Sequence, residues 1–321
     1  MDISINESVL KRFALLEQRG RLAHAYLFIG PPEVGKGETA LAIAQIFNCE
    51  KRNAQGTGGF CQECPSCRQI ASGNHPDVHV IDSSREEPMT IEDVRGLLDQ
   101  IKLRPFMAQK KIFILCNIEN LTLEGANALL KTLEEPSSSS LLLLTTSVPE
   151  RILETIRSRC HMVRFLYFSE RVLAEALCAS SGAKQEKDRA HVLAYLAGGC
   201  LGKARRLQDQ EIFKVRDEMI DQFLLSGNRE VLTKKILADK QKTREFLDIL
   251  LSWVRDCLLM KRGVAQGRLV HSDRLDDLKN FQGRFTFEQL ERLYEEIVQT
   301  CRLLADNLNV KIPFLIIGEM L

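Results

Sequence analysis

Between residues 25 and 47 the chain passes from a short apolar run, through a loop rich in glycine and proline, into a helix-like stretch. This order restricts the fold more than any other feature. The run is Ala25–Ile29, the loop is Gly30-Pro-Pro-Glu-Val-Gly35-Lys36-Gly37, and the helix-like stretch is Thr39–Phe47. A few apolar residues bounded by turn formers suit a strand buried on both faces. Glycines in such a loop let backbone N–H groups face phosphate oxygens, and the following helix turns its positive end towards them. A lysine at the loop's end reaches the β- and γ-phosphates. Gly30, Gly35 and Lys36 are the candidate phosphate-binding residues. The competing reading is a loop that only shapes the junction between strand and helix.

The rest of a nucleotide-hydrolysing site is missing. A Ser or Thr should follow the lysine to hold Mg2+, and Gly37 stands there. Thr39 comes two residues later and points elsewhere on a helix. An acidic pair should close a later apolar strand, to hold the metal and polarise water. The candidate strand Lys110–Leu115 ends instead in Cys116-Asn117, and Glu119 follows too late. Loss of two independent parts argues against ATP hydrolysis. Passive ATP binding through Lys36 stays open.

Further apolar runs at Val78–Ile81, Ile112–Leu115 and Leu141–Thr145 read as strands. A helix with Ala126, Leu129, Leu130 and Leu133 on one face lies between the last two; it stops at Pro136, and serines follow as a loop. Strands alternating with helices predict a parallel α/β sheet covered on both faces. After about residue 166 the strand signals fade. Ser169–Ala179 and Lys187–Ala197 read as helices around a polar turn at Ser180–Gly182, and Gly198–Gly202 breaks the chain before another helix. From residue 210 amphipathic helices follow, with polar joints at Ser226–Asn228, Gly263–Gly267 and Asn280–Gly283. The expected organisation is an α/β domain over 1–165, a small helical domain over 166–209 and a larger all-α domain over 210–321. A chain of 321 residues accommodates such a division.

The cysteines carry the sharpest local signal. Cys49, Cys61, Cys64 and Cys67 are spaced C-x11-C-x2-C-x2-C. Closely spaced thiolates around a loop suit tetrahedral Zn2+ in a closed, structural site. Gly56, Gly58 and Gly59 allow tight turns there, and Pro65 stiffens the last loop. A ferredoxin-like cluster would need a cysteine shortly after Cys67, where Ala71 stands. Four free thiols, or a redox role for the Cys-x-x-Cys pairs, are the alternatives. His75 and His79 are near enough to replace a ligand, although a lone histidine beside a strand is more often structural. The other six cysteines fall mostly on apolar faces and read as core.

The basic residues number 44 against 43 acidic ones, a net charge of +1. That balance gives no global field for nucleic acid, so any DNA contact must come from a local patch or an assembly. The first residues, MDISINESVLKRF, lack the layout of a signal peptide. No apolar run reaches the roughly 18 residues of a membrane span. A cytoplasmic protein with reduced thiols and no membrane is the expectation. Ser158-Arg159-Cys160 follows a stretch with Arg151 and Arg157 that reads as helix. An arginine at an exposed loop edge can stabilise phosphoryl-transfer charge in a neighbouring subunit, while most surface arginines are merely solvated.

Taken together, these residues resemble the AAA+ clamp-loader family, and within it the delta-prime subunits of bacterial DNA polymerase III. The resemblance runs over residues 20–165. It is carried by Leu22-Ala-His-Ala-Tyr-Leu-Phe-Ile-Gly30, the four-cysteine insert, Gly73-Asn-His-Pro-Asp77, Ala126-Asn-Ala-Leu-Leu-Lys-Thr-Leu-Glu-Glu-Pro136 and Ser158-Arg-Cys160. It implies a AAA+ α/β module with a small helical lid, and a helical collar that packs into a pentameric ring. The partners would be delta and tau/gamma-type subunits, with the sliding clamp and primed DNA reached through the assembly. The chain would be a non-hydrolysing accessory subunit of the DNA-directed DNA polymerase holoenzyme. Arg159, framed by Ser158 and Cys160, would act in trans on ATP held by an adjacent subunit, and the zinc would be structural. In the lid, Gly199-Cys200 followed by Lys203 departs from the family's usual arginine after a Gly-Ser turn. The alternatives are a tau/gamma-type ATPase subunit of the same loader, which should keep the hydroxyl after Lys36 and the acidic pair, and a free-standing zinc-containing NTPase.

Overall fold

The structure of the chain is a computed structural model, described for residues 6–51, 59–83, 91–137, 139–178, 184–225, 233, 236–306 and 308–321. Gly56, Gly58 and the turns expected at Ser180–Gly182 and Ser226–Asn228 lie outside these residues. The chain divides into two compact units. One comprises residues 1–168 with Cys200–Gly202, the other residues 169–199 with 203–321.

The first unit is built on five parallel strands: β1 (Ala25–Ile29), β2 (Val78–Asp82), β3 (Lys111–Cys116), β4 (Ser140–Thr146) and β5 (His161–Arg164), in the spatial order β2-β3-β4-β1-β5. Helices α1 (Glu7–Gln18), α2 (Lys36–Asn48), α3 (Pro65–Ala71), α4 (Ile91–Lys102), α5 (Leu123–Glu134) and α6 (Glu154–Arg157) complete it. Side chains alternate along a strand, and here both faces are apolar. Tyr26, Phe28, Ile112, Ile114, Leu141 and Leu143 pack in one core with Phe13, Ile43 and Phe47 of α1 and α2. Leu27, Phe113, Leu115, Leu142 and Leu144 pack in the other with Val94, Leu97, Leu129 and Leu133 of α4 and α5. This is a P-loop NTPase-like α/β fold, a parallel sheet with the glycine-rich loop at the end of β1 and helices on both faces.

Several elements differ from the reading of the sequence. β5 was not legible there: only Val163 of its four residues is buried, so it shows neither an apolar run nor a clean alternation. Pro65 does not stiffen a loop but opens α3, where its fixed φ suits the first helical position. The stretch around Arg151 and Arg157 is a single 3-10 turn, Pro149–Arg151, and the one-turn α6.

The second unit is all helical, with α7 (Glu170–Cys178), α8 (Lys184–Leu196), α9 (Leu201–Asp209, whose first two residues belong to the first unit), α10 (Ile212–Glu218), α11 (Lys240–Lys261), α12 (Leu275–Gln282), α13 (Phe287–Ala305) and α14 (Lys311–Met320). α12 runs through part of the joint expected at Asn280–Gly283. The side chain of Asp239 caps α11, and a Thr286/Gln289 capping box opens α13. The core gathers Phe223, Phe246, Trp253, Phe281 and Phe314. α10 continues into a π-helical turn, Met219–Leu225. Beside it the buried Arg216 forks onto Asp273 (3.0 and 2.6 Å) and bonds Asp217 (3.1 and 2.8 Å). Among the described residues no helix is long and apolar enough to cross a membrane.

Candidate functional site

The glycine-rich loop joins β1 to α2, as its sequence requires. Gly35 caps α2 at φ 89°, in the left-handed region that glycine enters without strain. Gly30 is glycine for a different reason: a Cβ there would stand 2.3 Å from the backbone oxygen of Phe165, just beyond β5. Lys36 is buried, and its ammonium is fully engaged within the unit. It donates to Gly30 O (2.8 Å), Pro31 O (2.6 Å) and Ser147 Oγ (3.1 Å). Burial lowers its pKa, with the Glu119 carboxylate the chief opposing influence. Glu119 Oε1 in turn accepts the N–H of Ser147 (3.0 Å). Glu33, at φ 60°, accepts the N–H of Gly202 (2.9 Å), so the segment Cys200–Gly202 lies directly on the loop.

The two positions that should supply magnesium ligands face each other. A Cβ on Gly37 would lie 3.5 Å from Cys116 Sγ. Burial, reinforced by Asp82, pushes the Cys116 thiol up to about 11, so it stays protonated near neutrality. Asn117 donates through its side chain to Asp82 (3.0 Å) and through its backbone to Thr145 (3.1 Å). Thr39 is spent on Gly35 O (2.6 Å) and on Asn6 (3.0 Å). Neither Gly37 nor Cys116-Asn117 carries a hydroxyl or a carboxylate; the carboxylates nearby belong to Asp82, which accepts from Asn117, and to Glu119.

The four cysteines of the insert meet at the ends of α2 and α3. Cys49 follows α2, Cys64 caps α3 and Cys67 lies in its first turn. Gln62, at φ 61°, turns the chain between Cys61 and Cys64. The four Sγ atoms lie within 4.8 Å of one another. Cys49 and Cys61 Sγ are 3.6 Å apart, too far for a disulfide of about 2.05 Å. Thiolates about 2.3 Å from a common centre would be about 3.8 Å apart, so the set fits a four-coordinate metal. Backbone N–H groups point at the sulfurs: Cys61 N at Cys49 (3.4 Å), Cys64 N at Cys61 (3.3 Å) and Cys67 N at Cys64 (3.4 Å). The Cys64 N–H is the main cause that brings Cys61 down to about 6, while burial raises Cys49 and Cys67. His75 and His79 do not join the cluster. His75 Nδ1 accepts from Asp77 N (3.1 Å), and the His79 ring stacks on Phe113.

The Ser-Arg-Cys triplet lies between α6 and β5. Cys160 is buried, and burial takes its thiol up to about 12. Ser158 Oγ donates to Thr155 O (3.2 Å). Arg159, part exposed, donates through Nη1 to the same carbonyl (3.0 Å) and through Nη2 to Glu134 at the end of α5 (2.8 Å). The reading of the sequence had no cue for that partner, since 25 residues separate the two side chains. It also gave no role to Asp77, which is fully buried and accepts the N–H groups of Phe106 (2.8 Å), Met107 (2.8 Å) and Ala108 (2.9 Å). Asp77 thus pins the loop that enters β3.

Known proteins resemble this chain over most of its length. The family described as DNA polymerase III, delta subunit, matches residues 5–169, and its C-terminal counterpart matches residues 210–317. DNA polymerase III subunit delta' of Bacillus subtilis is 27% identical over 304 residues, 92% of this chain and 89% of that protein. The delta' subunit of Pseudomonas aeruginosa is 30% identical over 259 residues, 79% of this chain and 75% of that one. DNA polymerase III subunit tau of Escherichia coli is 34% identical over 214 residues, 66% of this chain but 32% of its own length.

Proposed function

Because this chain belongs to the DNA polymerase III delta-subunit family, we propose that it is a non-hydrolysing subunit of the bacterial clamp loader. It works in the cytoplasm, in a pentameric ring with delta and tau/gamma-type subunits, and helps place the sliding clamp on primed DNA. Residues 1–165 are the AAA+ module, 166–209 its lid and 210–321 the collar. Its catalytic contribution is Arg159, offered in trans to ATP on a neighbouring subunit, with Ser158 and Cys160 holding its frame. A permanently charged planar guanidinium suits that task, since it can donate two parallel bonds to phosphate oxygens.

The observation that carries the non-hydrolysing assignment is the apposition of Gly37 and Cys116, neither of which carries an oxygen ligand for magnesium. Gly30, Gly35 and Lys36 keep the outline of a nucleotide site. With Lys36 committed to its own loop, any ATP bound there is held without turnover. Cys49, Cys61, Cys64 and Cys67 hold structural Zn2+, which when bound cross-links the end of α2 to the start of α3. The likeness to tau would suit an ATPase subunit, but the same missing ligands argue against it.

The test is reconstitution with the remaining loader subunits. The isolated chain turns over no ATP. In the assembled complex Arg159→Ala slows DNA- and clamp-stimulated turnover at one interface, where an arginine finger is worth about 10³–10⁵ in rate. The overall loss is partial because the other interfaces keep their own fingers. Arg159→Lys rescues poorly, since an ammonium has no fork. Magnesium-dependent turnover by the isolated chain that Lys36→Ala abolishes would refute the first claim, and normal loading by Arg159→Ala the second.

A further inference from the structure

The Arg159 side chain is already oriented before any partner arrives. Its Nη1 donates to Thr155 O at 3.0 Å, within its own turn, and its Nη2 to the Glu134 carboxylate at 2.8 Å, across from α6 to α5. Glu134 is itself set by local structure. It is the last residue of α5, and Pro136 forbids the helix to continue, so its side chain leaves the helix end beside α6. Ser158 Oγ shares the Thr155 carbonyl, which keeps the short turn wound under the arginine. From this geometry we infer that Glu134 is a positioning residue for Arg159. It fixes the guanidinium in the orientation that meets the neighbouring subunit's phosphate, an inference that rests on the trans role proposed above.

A guanidinium has five N–H donors. Two are committed in these bonds, and the contact to Ser158 Oγ, at 3.5 Å, is too long to commit a third. Three donors remain for phosphate oxygens, so engagement in trans does not require the arginine to leave Glu134. Without that carboxylate the side chain would be free to swing, and arginine has among the largest rotamer entropies to lose on ordering. Orientation fixed in advance is one of the main sources of catalytic rate. The carboxylate also lowers the local positive charge, but both side chains are over a third exposed, so water and salt screen that effect. Ordering therefore outweighs the screened loss of charge, and the sign follows: removing Glu134 slows the reaction.

The experiment uses the complete loader, with ATP turnover measured in the presence of clamp and primed DNA. Glu134→Ala lowers the Arg159-dependent part of kcat about tenfold, equal to about 1.4 kcal/mol of transition-state stabilisation. KM for ATP, ring assembly and zinc content stay unchanged. Glu134→Gln, which keeps an acceptor at the same reach, recovers part of the loss. Added to Arg159→Ala, Glu134→Ala costs nothing further, because it acts through the arginine. Faster turnover in Glu134→Ala would identify a latch that restrains the finger, and an additive loss in the double variant would mean an independent role; either overturns the inference. If Arg159→Ala slows turnover and Glu134→Ala does not, the positioning role alone falls. If Arg159→Ala itself changes nothing, the trans finger falls and the inference with it.

Discussion

Replacing Asp77 by Ala removes a fully buried carboxylate that receives three backbone N–H bonds of 2.8–2.9 Å. Hydrogen bonds to a charged group are worth about 1.5–3 kcal/mol each. Their simple sum overstates the loss, because Phe106 and Met107 are exposed and water can reach their amides once the carboxylate has gone. A net cost of about 3–4 kcal/mol remains, which for the first unit, of about 170 residues, lowers its melting temperature by about 6–16 °C. Asp77→Asn keeps one acceptor and loses the charge, so it costs about half as much. The pH dependence carries a definite sign. Burial disfavours the ionised form, but the three N–H donors and Lys111 outweigh it and hold the Asp77 pKa below its ordinary value. The folded chain therefore binds the proton more weakly than the unfolded one. This contribution is complete above the unfolded pKa and disappears as pH falls through the lower folded value. Thermal unfolding followed by circular dichroism should show the gap between Asp77→Asn and the unaltered protein closing below about pH 4. A melting temperature for Asp77→Ala within about 2 °C of the unaltered protein, or a gap that persists in acid, would refute this reasoning.

Arg216→Ala removes a buried side chain from between Asp273 and Asp217, which are themselves partly exposed, and costs the second unit about 1.5–3 kcal/mol, measurable by urea unfolding; a loss below about 0.5 kcal/mol would show that water replaces the fork. Gly30→Ala forces a methyl group against Phe165 O and lowers the melting temperature, and an unchanged value would mean that β1 and β5 separate at no cost. Carefully purified protein should hold about one equivalent of zinc, and a strong chelator should destabilise the junction of α2 and α3. Metal-free protein that melts like the untreated sample would remove the structural role from Cys49, Cys61, Cys64 and Cys67.

Much of the first unit could be read from the sequence because its signals are local. β1, β3 and β4 are continuous apolar runs, and Gly35 stands where the turn into α2 demands a positive φ. The cysteine spacing likewise foretold a cluster whose sulfurs do converge. What escaped depends on partners distant in the chain. Gly30 looks like a phosphate-loop glycine, yet the atom that enforces it belongs to Phe165. Lys36 looks ready for phosphate, but its third acceptor, Ser147, comes from beyond β4. Asp77 was visible only as part of a motif, because the amides it binds lie about thirty residues later. β5 has too few buried residues for any periodicity to show, and the Arg216 network joins α10 to a 3-10 turn that no spacing rule connects.

The space between Gly37 and Cys116 also bears on how easily this subunit could change trade. A methyl group on residue 37 would touch Cys116 Sγ at 3.5 Å, an ordinary van der Waals contact, and nothing else stands within 4 Å. The missing chemistry is thus not walled off by packing, as it would be if a bulky side chain had grown into the void. Sterically, a hydroxyl at 37 and a carboxylate at 116 are a short mutational walk away. The obstacle is energetic and lies next door. Lys36 would have to give up Gly30 O, Pro31 O and Ser147 Oγ before it could serve a nucleotide, leaving three acceptors to be satisfied by something else. On the proposed reading, restoring the ligands one at a time would bring no turnover until the lysine is freed as well. Under the proposed non-hydrolysing role, the site would be held silent by the lysine's own bonds rather than sealed by packing.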